Sequence, residues 1–168
     1  MSNNYNPVPV GAPIVPAGLN CSQVGDFYIT AQPTDPQGIE TANSLGVVSV
    51  VCLRDSAETA NPPYPAFDPQ EDATATSLGM NFVNVPFPHG MQQSQFDVRA
   101  GVVLAALDLL PKPLLMHCSS GDRASALWAV HLMEQCGLPQ QEAIGLAQTT
   151  GLKAFLSYVQ NYSPAQKS

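Results

Sequence analysis

Residues 114–130 read LLMHCSSGDRASALWAV, and this stretch decides how the rest of the chain is interpreted. Its first three residues are apolar and predict a strand, and residues 124–136 predict a helix that is apolar on almost every side. Between them a cysteine, two serines, a glycine, an aspartate and an arginine occupy six consecutive positions. The stretch therefore predicts a strand, a short polar loop and a buried helix.

A loop of this kind suits anion binding and nucleophilic chemistry. It leaves backbone N–H groups unpaired at the positive end of the helix dipole, and the same field favours the thiolate of Cys118. Gly121 fits a position with positive φ or close approach to a ligand. Arg123 can offer a planar pair of donors to a tetrahedral oxyanion. Cys118 is therefore the predicted nucleophile and Arg123 the predicted oxyanion-binding residue.

The neighbouring polar side chains complete the predicted site. Those predicted to bind substrate are Ser119, Ser120, Gly121, Asp122 and Ser125. The Asp122 carboxylate opposes a thiolate unless it points out to solvent. His117 is predicted to face away from the substrate, to hydrogen-bond to backbone and to fix the loop. No metal or other cofactor is expected, because the four cysteines are widely spaced and form no CxxC pair.

The overall charge restricts the partners. A formal net charge of -7 and only six Lys and Arg residues argue against binding to nucleic acid or anionic membranes. The N-terminus lacks a basic segment followed by an apolar run, and no apolar stretch is long enough to span a membrane. A cytoplasmic location is expected. The oligomeric state does not follow from the sequence.

The remaining chain predicts one domain. Residues 1–20 contain four prolines and are predicted to form an extended arm, followed by a single domain over 21–168. Strands are predicted at 27–30, 47–53, 81–85 and 114–116, and residues 56–70 are predicted to form a loop. Helices are predicted from 34 or 35 to 45 and at 69–78, 96–110, 124–136, 139–149 and 152–160.

Alternation of strands and helices predicts a three-layer α/β fold with a mostly parallel central sheet covered by helices. In such sheets ligands bind at the carboxyl ends of the strands. The loop that carries Cys118 follows a strand and is predicted to lie at this edge.

The motif HCSSGDR resembles the signature of cysteine-dependent phosphatases of the tyrosine and dual-specificity type. Together with FYITAQPTDPQGIETANSLGVVSVVCLRD and GMNFVNVPF, it resembles the bacterial beta-lactamase-hydrolase-like phosphatase domain over roughly residues 26–150. The resemblance implies a dual-specificity-phosphatase-like fold. It also implies hydrolysis of a phosphomonoester, on a small molecule or a protein, through a cysteinyl-phosphate intermediate.

The spacing of the loop leaves two alternatives open. The main phosphatase group has five residues between Cys and Arg, whereas four separate Cys118 from Arg123 here. Rhodanese-type sulfurtransferases are similar in this shorter spacing, so transfer of sulfur from a persulfide is one alternative. A catalytically inactive module that binds anions is the other.

Cleavage of a phosphate ester also needs a group that protonates the leaving oxygen. The resemblance implies an acid about thirty residues before the cysteine, after a strand, where this chain has PFPHG. His89 lies in that segment and is one candidate, and Asp97, at a predicted helix start, is the other. Arg54 and Asp55 follow another strand and belong either to the rim of the pocket or to a surface pair.

Overall fold

The computed structural model describes residues 21–24, 27–31, 35–55 and 71–164. The predicted arm over 1–20 and the predicted loop over 56–70 lie outside these residues. The described residues form five strands: β1 (Cys21–Val24), β2 (Phe27–Thr30), β3 (Ser49–Cys52), β4 (Asn81–Asn84) and β5 (Leu114–His117). They also form six helices: α1 (Asp35–Ser44), α2 (Glu71–Ser77), α3 (Gln93–Leu109), α4 (Asp122–Glu134), α5 (Gln140–Thr150) and α6 (Leu156–Gln160).

The strands form one sheet in the order β1-β2-β5-β3-β4. Strands β2, β5, β3 and β4 run parallel, and β1 pairs antiparallel with β2 at one edge. All residues of β2, β3 and β5 are buried, as expected for apolar strands covered on both faces. The carboxyl ends of β3 and β5 therefore lie side by side in the centre of the sheet.

Helices cover both faces of the sheet and make separate cores. The larger core joins α3, α4, α5 and α6 to one face, which includes Leu114 and Met116 of β5. The smaller core joins α1 and α2 to the other face, which includes Leu115. Successive residues of a strand point to opposite faces, so β5 contributes alternately to both cores. The predicted three-layer, mostly parallel α/β fold is confirmed.

Two features differ from the sequence predictions. The edge strand β1 was not predicted, because residues 21–24 (CSQV) carry no alternating apolar pattern. Helix α3 was predicted from the spacing of Val98, Val102 and Leu109, but these side chains are 61%, 53% and 85% exposed. The helix packs through a different set of side chains: Phe96, Ala100, Val103 and Leu107. Alanine and valine occur all around this helix, so their spacing could not select the buried face.

Candidate active site

The loop between β5 and α4 wraps around the sulfur of Cys118. The backbone N–H of Gly121 donates a hydrogen bond to Cys118 Sγ over 3.2 Å. Gly121 precedes the first residue of α4 and has a φ of 92°, the left-handed conformation that glycine adopts at least cost. Cys118 is buried, Ser119 is half-buried and Ser120 is exposed. The sulfur thus lies at the floor of the loop, at the amino end of a 13-residue helix.

The guanidinium of Arg123 lies between this loop and the segment after β4. Arg123 Nη2 donates to the Ser119 hydroxyl oxygen over 3.0 Å, and Nη1 donates to the carbonyl oxygen of Phe87 over 2.8 Å. The side chain is only 2% exposed. Although four residues, not five, separate it from Cys118, Arg123 turns toward the loop rather than out to solvent.

The carboxylate of Asp122 is held by backbone amides that precede helix α6. It accepts hydrogen bonds from the N–H groups of Lys153 at 2.7 Å, Ala154 at 2.9 Å and Phe155 at 3.2 Å. These three N–H groups satisfy the carboxylate oxygens with charge-assisted hydrogen bonds. The structure therefore gives Asp122 a bracing role between the loop and the C-terminal helices.

Ser125 contributes to the same brace. Its side chain is buried, and its hydroxyl shares a 2.7 Å hydrogen bond with the hydroxyl of Thr150 at the end of α5. Gly151 follows directly and packs against Gly121. A Cβ atom added at Gly151 would lie 3.6 Å from backbone atoms of Gly121. The base of the loop is thus fixed from the C-terminal side of the domain.

His117 supports the loop from the opposite side. Its Nδ1 lies 3.4 Å from the carbonyl oxygen of Cys118, and its Nε2 pairs with a carboxylate oxygen of Glu71. Burial alone lowers the pKa of His117, but Glu71 and the thiol of Cys52 outweigh burial and hold this pKa well above its ordinary value. These two neighbours therefore favour the protonated imidazole. The imidazole projects from the sheet face opposite to the core that contains Cys118.

The segment after β4 is anchored by two arginines. Arg123 binds the carbonyl of Phe87, and Arg99 of α3 donates to the carbonyl of Pro86 over 2.8 Å. His89 lies two residues after Phe87 and is exposed, and its ring meets that of Phe155 edge-on at a centroid distance of 6.2 Å. Two residues of chain span at most about 7 Å, so His89 stays close to the carbonyl that Arg123 holds.

Asp97 has different surroundings. It is half-buried on α3 and accepts a hydrogen bond of 2.9 Å from Gln93, whose amide also donates to the carbonyl of Tyr158. Burial raises the pKa of Tyr162 to about 12, and the nearby carboxylates of Glu134 and Asp97 add to this rise. Asp97 therefore takes part in the packing of α3 against the C-terminal helices.

Sequence reasoning gave no functional role to Cys52 or Glu71, which the structure brings to His117. No local motif reveals them, because they come from β3 and α2 and meet β5 only through the order of strands in the sheet. Arg54, considered for the rim of the pocket or for a surface pair, is fully buried behind the end of β3.

Taken together, these groups form an anion cradle around a thiol. Backbone amides at a helix start and a guanidinium stabilise negative charge on a tetrahedral group, and a thiolate is a competent nucleophile. His89 lies on the segment after β4, which Arg123 joins to the Cys118 loop. The arrangement can transfer an acyl, phosphoryl or sulfur group to and from Cys118.

Three solved structures, two of them named as phosphatases, have the same fold. A candidate phosphatase from Neisseria meningitidis has 23% identity and a TM-score of 0.61, with 81% of this chain and 92% of that chain covered. TpbA of Pseudomonas aeruginosa has 19% identity and a TM-score of 0.64, with 89% of this chain and 86% of the TpbA chain covered. Kinase associated phosphatase has 14% identity and a TM-score of 0.65, covering 91% of each chain.

Sequence comparison shows the family. No curated protein sequence matches this chain. Residues 22–135 match the family model described as beta-lactamase hydrolase-like protein, phosphatase-like domain. This match covers more than half of the chain and includes the whole loop around Cys118. The chain therefore belongs to the family of beta-lactamase-hydrolase-like, phosphatase-like domains.

Proposed function

We propose that the protein hydrolyses phosphomonoesters through a covalent intermediate on Cys118. One observation carries this proposal: the sulfur accepts a hydrogen bond from the Gly121 amide inside a loop that also binds the Arg123 guanidinium. The Cys118 sulfur can then attack the phosphorus atom of a phosphoryl group while the Gly121 amide and the Arg123 guanidinium bind its oxygens. Membership in a phosphatase-like family supports this choice over the other group transfers.

In the first step, the Cys118 thiolate attacks phosphorus, an S–P bond forms, and the P–O bond to the leaving group breaks. Arg123 and the loop amides hold the phosphoryl oxygens as charge shifts in the transition state. The leaving oxygen takes a proton from an acid. In the second step, water attacks the phosphocysteine, the S–P bond breaks, and inorganic phosphate and the thiolate are released. No metal takes part in either step.

We assign the acid to His89. His89 belongs to the segment after β4, and Arg123 donates a hydrogen bond to the carbonyl of Phe87 in that segment. This hydrogen bond links the segment to the side chain that we propose binds the phosphoryl oxygens. Asp97 hydrogen-bonds to Gln93 on its own helix and faces the C-terminal helices. His89 is exposed, and it lies two residues from the carbonyl that Arg123 binds.

Replacing the acid should produce a loss that depends on the leaving group. We expect His89→Asn to lower kcat for phenyl phosphate by about 100-fold, within the usual range for a general acid, since phenolate leaves poorly without a proton. With p-nitrophenyl phosphate, whose leaving group needs no proton, kcat should change by less than about threefold. Asp97→Asn is the matched control. A loss confined to phenyl phosphate in Asp97→Asn, and absent from His89→Asn, would transfer the role to Asp97.

The substrate class is a phosphorylated small molecule or protein. The net charge of -7 gives no general attraction for anions, so recognition depends on the few donors of the loop. One solved structure of TpbA is a complex with phosphotyrosine, and this supports aryl phosphates as first probes.

The decisive experiment uses the full chain with p-nitrophenyl phosphate under steady-state and rapid-quench conditions. We expect turnover and, at early times, a phosphorylated protein that intact mass spectrometry detects. Thiosulfate and cyanide are supplied to the same preparation as an independent assay. Thiocyanate formation without phosphate release would favour the sulfurtransferase that the four-residue spacing suggests. Tight binding of phosphate without either reaction would indicate an anion-binding module.

A further inference from the structure

Three buried side chains of the types that bind metals meet behind the loop. Cys52, Glu71 and His117 each provide one ligand atom, and these atoms all lie within 4.8 Å of one another. All three residues are buried. The phosphatase mechanism proposed above uses neither Cys52 nor Glu71 directly, so this cluster needs a separate explanation.

The cluster rests on three rigid elements on the face of the sheet that α1 and α2 cover. Cys52 and His117 are direct partners in the parallel pair of β3 and β5, so their side chains project from the same face. Glu71 is the first residue of α2, and its side chain reaches this pair. Cys118, by contrast, packs in the core on the opposite face. The cluster and the Cys118 nucleophile therefore lie on opposite faces of the sheet.

The orientation of the imidazole suits coordination. The Nδ1 atom of His117 faces the carbonyl of Cys118, which leaves Nε2 directed at Glu71 and the interior of the cluster. Histidines that bind metals commonly donate their second N–H to a backbone carbonyl, which fixes the tautomer and the ring plane. His117 Nδ1 lies 3.4 Å from such a carbonyl, that of Cys118.

We propose that Cys52, Glu71 and His117 form a binding site for a divalent metal ion of the zinc type. Thiolate, imidazole and carboxylate are the three ligand types of zinc sites, and the thiolate disfavours Mg²⁺ and Ca²⁺, which prefer all-oxygen sites. Three protein ligands also leave room for a fourth in a tetrahedral site. The inference concerns metal binding alone and holds whether or not the protein is a phosphatase.

The ligands of this buried cluster suit the charge of a divalent ion. In the metal-bound site, the two anionic ligands, a thiolate and a carboxylate, offset the two positive charges of the ion. This compensation avoids the large cost of an unpaired buried charge. The Glu71 carboxylate must move from His117 Nε2 to about 3.3 Å, the separation set by tetrahedral bonds of about 2.0 Å.

The test is direct metal binding by the full chain. The purified protein is treated with a chelator, dialysed and titrated with ZnCl₂ or CoCl₂. We expect about one equivalent of metal per chain, and with Co²⁺ a thiolate-to-cobalt charge-transfer band in the near ultraviolet. Cys52→Ser should remove the band and weaken Zn²⁺ binding by at least about 100-fold. Glu71→Gln should weaken Zn²⁺ binding but keep the band, because the thiolate remains.

Two matched variants test whether Cys118 or Cys136 is the cysteine that binds. Cys136 also neighbours a histidine, with its Sγ 3.5 Å from His131 Nε2, and burial raises the pKa of Cys136 to about 11. Cys136→Ser and Cys118→Ser should both keep the cobalt band. The proposal is wrong if wild-type protein gives no band, if Cys118→Ser or Cys136→Ser abolishes it, or if a folded Cys52→Ser retains it. Circular dichroism checks folding, and if Cys52→Ser does not fold, the other four proteins decide: wild type, Glu71→Gln, Cys118→Ser and Cys136→Ser.

Discussion

Substituting serine for Cys118 is expected to reduce p-nitrophenyl phosphate hydrolysis by at least about 1000-fold, or roughly 4 kcal/mol of transition-state stabilisation. The Gly121 amide donates a hydrogen bond to the sulfur, and a serine hydroxyl in the same place is a much weaker nucleophile than a cysteine sulfur. The side chains are nearly the same size, so the loop should stay intact. Steady-state rates of the two proteins measure the effect.

A matched variant separates chemistry from general effects of thiol removal. Cys136 is half-buried outside the loop, and Cys136→Ser should leave the rate within about twofold of wild type, as expected for a residue remote from the site. The phosphorylated intermediate should be absent from Cys118→Ser and present in Cys136→Ser. Equal rates for wild type and Cys118→Ser would assign the activity to another group or to a contaminant.

Substituting lysine for Arg123 is expected to reduce kcat/KM for the same substrate by about 100-fold to 1000-fold, as for other lost oxyanion donors. Lysine keeps the positive charge but lacks the planar pair of donors. It cannot reproduce the two hydrogen bonds, to Ser119 and to Phe87, that hold the guanidinium between the loop and the acid segment.

Arg99→Lys is the control for Arg123→Lys, because Arg99 binds the adjacent carbonyl of the same segment but makes no bond to the Cys118 loop that the structure shows. If Arg123 acts on the phosphoryl group, Arg99→Lys should change kcat/KM by less than about fivefold, as expected for loss of one anchoring hydrogen bond. Similar losses in both variants would mean that Arg123 only anchors the segment. Inhibition by inorganic phosphate should weaken in Arg123→Lys alone.

The fold follows from the sequence where one physical signal dominates. Strands β3 and β5 are short apolar runs that can only be buried on both faces, and the helices between them show helical spacing, so the three layers could be predicted. Strand β1 has no such pattern and depends on pairing with β2. The buried face of α3 depends on which neighbours pack against it, and local spacing does not contain that information.

In the candidate site, too, contiguous residues could be predicted from the sequence, whereas contacts between distant residues could not. Residues from His117 to Arg123 are contiguous, so their chemistry is visible in the sequence. The acceptor role of Asp122 depends on amides 31 to 33 residues later, and the pairing of Glu71 with His117 spans 46 residues. Widely spaced cysteines argued against a zinc motif, yet strand order places Cys52 beside His117. Residues that are brought together only by the order of strands show no fixed spacing in the sequence, so no motif reveals them.

The brace made by Asp122 has a consequence for the far end of the protein. Backbone N–H groups of residues 153–155 engage an anion that adjoins the reactive sulfur. A chain shortened before residue 153 would release this anion beside the pocket, where it would repel both the thiolate and an incoming phosphate. A distant segment that supplies none of the proposed catalytic groups therefore partly determines how the charge of Asp122 is compensated.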